Sequence, residues 1–168
     1  MKKFISIISC FVLLFLFSAC SGQPAKQITV AEAGYTCEAF VSYGEKFSSN
    51  ATINAIGGGM FSVAINTPED IAGLTFSFDN NEMSIFYNGL ESEMPVSPEY
   101  GGFAEILNEI FLKFTTSRPT VSYKDGGYLL EGNNSEYAFE LTFNENGFPL
   151  ALTVEDEDLK VNFSNWMY

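Results

Sequence analysis

Cys20 is the residue whose type and position most clearly indicate chemistry. Two small residues, Ser18 and Ala19, precede it directly, and an apolar stretch over 4–17 follows two lysines at the start of the chain. A positive start, an apolar stretch and a small-residue site are the parts of a secretory signal. The stretch of about 14 residues is shorter than the roughly 20 that cross a bilayer. The sequence therefore predicts a signal peptide at 1–19.

The segment from Leu16 to Cys20 resembles the lipobox of bacterial lipoproteins. In that family the cysteine is joined by a thioether to diacylglycerol, carries acyl chains such as palmitate and becomes the first residue. The resemblance implies a lipid-anchored protein on the extracytoplasmic face of the cell membrane, held durably by two or three acyl chains. Residues 20–30 would be the lipid-bearing cysteine and a short tether, and 31–168 one domain. Two alternatives stay open, namely a transmembrane anchor and ordinary cleavage near Ala19.

The side chains of common catalysis are scarce in this chain. It has no histidine and one arginine, Arg118, so neither a Ser–His nor a Cys–His nucleophile can form. Histidine-based zinc sites are excluded, and Cys37 remains as a single thiol once Cys10 and Cys20 are removed or acylated. Its alternating strand pattern favours a small core residue over a reactive thiol. We predict no enzyme activity, no catalytic residue, no cofactor and no metal.

The densest acidic run is Glu155–Asp158. Its oxygens could bind Ca²⁺, but the run lacks the spaced ligands and the turn glycine of a dedicated loop. The other interpretation is a solvated hairpin tip whose charges discourage pairing between sheet edges. The second interpretation is favoured.

The charge of the chain restricts its partners. Removal of 1–19 leaves six basic and 21 acidic residues, hence a net charge of −15. Nucleic-acid binding rests on lysine and arginine at phosphates, so it is excluded. Anionic headgroups should also repel such a domain, and membrane attachment must come from the lipid on Cys20.

Apolar residues alternate with polar ones along most of the chain, which is typical of antiparallel strands with one wet face. The pattern covers 35–43, 51–55, 61–65, 74–78, 83–87, 121–123, 128–130, 137–143, 150–154 and 159–163. Short turns such as Asn88-Gly89 and Asn144–Gly147 link consecutive strands and supply positive φ. The sequence predicts a mainly β (α+β) fold, an antiparallel meander of about ten to eleven strands, with six before the one helix and five after it.

The helix is predicted at about 101–115, where apolar residues recur at helical spacing. Eleven strands about 4.8 Å apart make a sheet roughly 50 Å wide, and a helix about 20 Å long covers a fraction of its apolar face. The sheet must therefore curl into an open half-barrel around the helix, or split into a sandwich. A curled sheet leaves a concave apolar face with the helix packed on it.

Together, the cysteine, the one-sided meander and the interrupting helix resemble the LolA/LolB-like lipoprotein group. The most similar pieces are the proline-led loop and strand at 68–76 and the turn and strand at 147–154. The resemblance implies an incomplete barrel lined by apolar side chains, with helices as a lid, in a family of which several members carry lipids or acylated proteins.

Two functions follow. The favoured one is a lipoprotein that binds a lipid, acyl chain or other hydrophobic ligand inside the curled sheet. Its predicted lining is Phe61, Phe76, Phe78, Ile85, Phe103, Leu107, Ile110, Phe111 and Phe139. The alternative is a tethered scaffold or regulator that contacts an envelope protein through its acidic outer surface, with the aromatic residues as plain core.

Overall fold

Antiparallel strands make up most of the described chain. This computed structural model describes residues 34–45, 47–57, 59–80, 82–96, 102–116, 121–124, 127–133 and 137–167. The strands are β1 Tyr35–Tyr43, β2 Phe47–Gly57, β3 Met60–Ile65, β4 Thr75–Asp79, β5 Glu82–Tyr87, β6 Leu90–Pro95, β7 Ser122–Lys124, β8 Gly127–Asn133, β9 Ala138–Phe143, β10 Pro149–Val154 and β11 Leu159–Met167. The predicted signal peptide, Cys20 and the tether lie outside the described residues.

The eleven strands form one sheet in the order β6-β5-β4-β3-β2-β1-β11-β10-β9-β8-β7. Neighbouring strands are antiparallel throughout. β1 pairs with β11, where Val41 lies opposite Val161, so the first and last strands join two runs of hairpins. The described residues contain no pairing between the outer strands β6 and β7, and the sheet is therefore open. The predicted antiparallel sheet of about eleven strands, six before the helix and five after it, is confirmed. A simple meander would also pair β6 with β7, whereas the described sheet pairs β1 with β11 instead.

Each strand divides its side chains between two faces, as the alternation predicts. In β1 the side chains of Cys37 and Val41 are buried, whereas Glu38 and Phe40 are exposed. We call the face that carries Cys37 the inner face and the opposite one the outer face. The inner face belongs to a single hydrophobic cluster that also contains the helix, so burial of this face is what holds the strands together.

The helix α1 spans Phe103–Thr116, close to the predicted 101–115. Among the residues that the structure describes, no helix combines the length and the apolar character needed to cross a membrane. In sequence α1 connects β6 to β7, the two outer strands of the sheet. It packs against β3 and its neighbours through its apolar stripe.

β5 and β6 are joined by the turn at Asn88-Gly89, where φ is 50° and 79°. Two consecutive positive φ values are the requirement of a two-residue hairpin turn that matches strand twist, so this predicted turn is confirmed. β6 shows little alternation because most of its side chains are exposed. Glu91 and Glu93 place charges along this outer strand, which discourages pairing with another sheet edge.

Gly132 of β8 allows the ring of Phe139 to lie across its backbone. The two residues are opposite each other in register, and a Cβ at position 132 would lie 2.1 Å from Phe139 Cζ. We expect Gly132→Ala to lower the free energy of unfolding by about 1–3 kcal/mol, because the buried ring must leave its site. Urea unfolding measures this. In a Phe139→Leu background the same change should cost much less, and an equal cost in both backgrounds would contradict the explanation.

Candidate functional site

The apolar stripe of α1 forms the centre of the site. Phe103, Leu107, Ile110 and Phe111 are separated by four, three and one positions, a spacing that places them on one side of a helix. All four side chains are buried. The inner face of the sheet supplies their contacts, so sheet and helix are joined by aromatic and aliphatic packing.

At the N-terminal end of α1, Phe103 lies among aromatic rings from three strands. Its ring centroid is 5.4 Å from that of Phe47 in β2. The centroids of Tyr43 in β1 and Phe76 in β4 lie at 6.2 and 6.4 Å. These distances fall in the favourable range for aromatic pairs. They fix the start of the helix over β1, β2 and β4.

Farther along the helix, Phe111 contacts rings from both runs of hairpins. It stacks on Phe61 of β3 at 5.6 Å and meets Phe163 of β11 edge-on at 5.7 Å. Phe61 in turn lies 6.3 Å from Phe78 of β4. Phe111 therefore bridges the two halves of the sheet across the β1–β11 junction.

The nine residues predicted to line a ligand site are brought together in this one cluster. Seven of them are buried, whereas Phe76 and Ile85 are half-buried against the cluster. The residues around Phe111 are thus packed as core. Several apolar side chains that keep partial exposure lie toward β4, β5 and β6, and others lie on strands elsewhere in the sheet, namely Tyr43, Phe47, Ala55, Tyr128 and Trp166.

We call the partly exposed region of the inner face near β4, β5 and β6 the β4–β6 strip. It contains residues that were not among the nine lining residues predicted from the sequence. Its members share the inner face or its margin and are all partly buried: Ile71, Leu74, Phe76, Ile85, Met94 and Val96. Met94 is opposite the buried Met83 in register, which places it on the inner face. Most side chains of β6 are exposed and show little alternation. The inner-face position of Met94 therefore becomes evident only from the pairing of β6 with β5.

Two polar side chains of α1 are more enclosed than its amphipathic pattern predicts. Glu105 and Asn108 are 2% and 1% exposed. Asn108 Oδ1 has no hydrogen-bond partner among the described residues. The helix is therefore enclosed on part of its polar side as well as along its apolar stripe, because it lies within the cluster.

Cys37 is a core residue, as its strand pattern predicts. Its side chain is buried, and burial raises the pKa of the thiol to about 12. A thiol with this pKa stays protonated near neutral pH and is a poor nucleophile. Burial, and then the nearby Cys37, also raise the pKa of Tyr35.

Among the described residues, no group of three or more histidine, cysteine, aspartate or glutamate side chains could hold a metal ion.

The acidic run Glu155–Asp158 forms the turn between β10 and β11, as the hairpin interpretation predicts. Tyr43 contacts this turn, and its pKa is raised by burial and then by the charge and hydrogen bond of Glu157. A groove of about 290 Å³ beside the turn is lined by Glu131, Glu140, Glu155 and Asp156, among others. The groove carries negative charge, and Phe139 is the member of the aromatic cluster that reaches it.

No known protein family matches the chain in sequence, and no curated protein does so either. Solved structures do match. An uncharacterised conserved protein from Thermus thermophilus is 11% identical, with a TM-score of 0.52 over 82% of this chain and 79% of that one.

Two further structures are similar at lower TM-scores. A LolA superfamily protein from Nitrosomonas europaea is 8% identical, with a TM-score of 0.42 over 84% of this chain and 89% of that one. A domain from Vibrio parahaemolyticus, described as an outer membrane lipoprotein-sorting protein, is 12% identical, with a TM-score of 0.46 over 83% and 87%. At such identities the likeness concerns the fold. The chain thus shares the fold of the Thermus protein, and a LolA superfamily protein is among the solved structures to which it is similar.

Proposed function

We propose that this chain is a lipoprotein, anchored through Cys20 on the extracytoplasmic face of the cell membrane, that holds a hydrophobic ligand on the inner face of its sheet. In this proposal the open sheet curls into a half-barrel, and α1 lies on the concave side as a lid. The protein binds its ligand and performs no chemistry on it. The sequence resemblance to lipoproteins supports the anchor, and the β4–β6 strip supports the ligand site.

The β4–β6 strip is the observation that carries the ligand site. This strip leaves Phe76, Ile85 and Met94 partly exposed on the inner face, and the ring of Phe76 lies 6.4 Å from that of Phe103 at the start of α1. Other partly buried members of the cluster, such as Tyr43 and Tyr128, belong to strands away from the strip. A row of half-covered apolar side chains beside a helix suits an acyl chain, since each methylene that leaves water contributes about 0.8 kcal/mol. The buried members of the predicted set, such as Phe61 and Phe111, would form the floor and wall of the site.

Adjacent residues of β5 provide a matched test. Ile85 is on the inner face and half-buried, whereas Phe86 is exposed on the outer face. A fluorescent fatty acid titrated into the delipidated, detergent-free full chain should bind, and Ile85→Asn should weaken binding at least tenfold. Phe86→Asn introduces the same polar side chain on the other face and should leave the affinity unchanged.

Native mass spectrometry of the same delipidated wild-type protein supplies a second measurement. We expect an added fatty acid to be retained as a mass increment. Protein that stays free of ligand in both experiments would overturn the proposed ligand site. Equal effects of Ile85→Asn and Phe86→Asn would place binding away from the strip.

A second function is favoured by the acidic groove beside Glu155 and Asp156. Glu131 and Glu140 lie directly opposite each other in β8 and β9, and like charges in that position destabilise a sheet. A basic segment of an envelope protein would relieve this repulsion. In this alternative the domain is a tethered scaffold, and partner capture should weaken as the salt concentration rises.

A further inference from the structure

One rim of the sheet contains the start of β1 and several of the turns between strands. The Gly34 N–H donates to the Ala55 carbonyl at 2.9 Å, which places the end of β2 beside the point where the chain reaches β1. Since neighbouring strands are antiparallel, the starts of β3 and β10 and the end of β11 lie at the same rim. We call this edge the N-terminal rim.

Four large apolar side chains are exposed on the N-terminal rim. Ile56 and Met60 flank the β2–β3 turn and are 59% and 43% exposed, while Leu150 at the start of β10 and Met167 at the end of β11 are 44% and 56% exposed. They lie on β3, β2, β11 and β10, which flank β1 on both sides. At about 4.8 Å between strands, they extend over about 20 Å.

The opposite rim has a different character. Its turns carry the exposed carboxylates Glu45, Glu69, Asp70, Glu155, Asp156 and Asp158, and Leu90 at the start of β6 is a single exposed apolar side chain there. On the N-terminal rim the exposed carboxylates flank the apolar stretch: Asp79 ends β4 opposite Met60, Glu82 begins β5, and Glu145 lies in the turn before β10. The domain therefore has one acidic rim, and a second rim whose centre is apolar and coincides with the start of β1.

This distribution of charged and apolar side chains favours a lipid surface as the partner of the apolar stretch. Thirteen residues, 21–33, separate the proposed anchor from Gly34, and even fully extended they reach at most about 45 Å. An anchor at Cys20 thus keeps this rim close to the bilayer. Anionic headgroups repel the acidic rim, whereas apolar side chains gain free energy by entering the interface.

We propose that Ile56, Met60, Leu150 and Met167 dock the N-terminal rim against the lipid surface and set the orientation of the domain on the membrane. The inference rests on the proposed anchor at Cys20. It adds a second, non-covalent contact with the bilayer, and it turns the acidic rim toward the aqueous side.

Trp166 is a natural reporter for this contact. It is the single tryptophan of the chain and directly precedes Met167 in β11. Its ring is half-buried, with centroids 5.1 Å from Tyr35 and 5.3 Å from Phe148. Bromine on lipid acyl chains quenches tryptophan fluorescence at short range, so quenching reports whether this rim touches lipid.

The experiment uses the full acylated chain, purified from membranes and reconstituted on vesicles of phosphatidylcholine and phosphatidylglycerol. The acyl chains are either plain or brominated near the carboxyl end. Two triple variants are compared with the wild type. Ile56→Ser/Met60→Ser/Leu150→Ser removes apolar side chains from the N-terminal rim, and Phe40→Ser/Phe86→Ser/Leu90→Ser removes the same number of exposed ones from elsewhere. Flotation and Trp166 fluorescence are measured together.

We expect the wild type and the second variant to float with the vesicles and to lose fluorescence on brominated lipid. The rim variant should float equally well and keep its fluorescence. A wild type that floats without quenching overturns the rim contact alone. Quenching that persists in the rim variant means that lipid reaches Trp166 through the inner face, which also overturns it. A wild type that does not float refutes the anchor, and the rim contact with it.

Discussion

Replacing Cys20 with serine is expected to move the protein from the membrane fraction to the soluble fraction almost completely. The reason is the size of the lipid contribution, since each buried acyl CH₂ contributes about 0.8 kcal/mol and two or more chains bind a membrane durably. No other strong attachment is expected from a chain with 21 acidic residues and eight basic ones. Cell fractionation and incorporation of radiolabelled palmitate measure the effect.

Cys10 provides the matched control, because it is a cysteine of the same apolar segment that lacks the preceding pair of small residues. Cys10→Ser should leave palmitate incorporation and membrane attachment unchanged. If Cys20→Ser stays in the membrane fraction, a transmembrane anchor at the N-terminus becomes the better interpretation. If the wild type itself is soluble and incorporates no palmitate, ordinary cleavage near Ala19 does.

Replacing Phe111 with alanine is expected to cause the largest loss of stability among single changes in the helix, about 3–5 kcal/mol. Phe111 is buried and touches Phe61 and Phe163, which belong to the two different runs of hairpins. Truncation leaves a cavity between those rings, and the paired strands on either side cannot close it without shifting. Urea unfolding followed by circular dichroism measures the difference.

Phe40 is the control for Phe111. It is the same residue type, but it lies exposed on the outer face of β1, where a change to alanine should alter the free energy of unfolding by about 0.5 kcal/mol or less. A small loss for Phe111→Ala would show that the space beneath the helix is loosely filled. A hydrophobic ligand should then restore stability to the variant, which a thermal shift would detect.

Substitutions in the packed core and substitutions in the two proposed binding regions are expected to affect the stability of the fold differently. The cluster around Phe111 is packed as core, and changes there act on folding first. The β4–β6 strip and the N-terminal rim keep apolar side chains partly or largely exposed, so we expect substitutions such as Ile85→Asn or Ile56→Ser to affect the proposed binding more than folding. This separation allows ligand binding and membrane contact to be tested without unfolding the protein.

Local patterns determined much of the fold. The period-two alternation over Tyr137–Phe143, the helical spacing over 101–115 and the turn at Asn88-Gly89 each need only neighbouring residues, and the strands, the helix and the turn lie where these patterns predict. The burial of Cys37 follows from the same alternation. Such features are predictable because side-chain direction along a strand or helix depends on local backbone geometry.

The tertiary structure decided which distant strands and side chains meet. Tyr35–Tyr43 pairs with Leu159–Met167 across the whole length of the domain, and no local pattern specifies that pairing. The same holds for Met94, whose inner-face position depends on its pairing with β5, and for Ile56 and Met167, which share a rim although they are far apart in sequence. Strand pairing depends on the mutual fit of entire faces. The sequence therefore indicates a lipid-bearing Cys20 and a one-sided sheet, and only the assembled sheet shows where apolar surface remains uncovered.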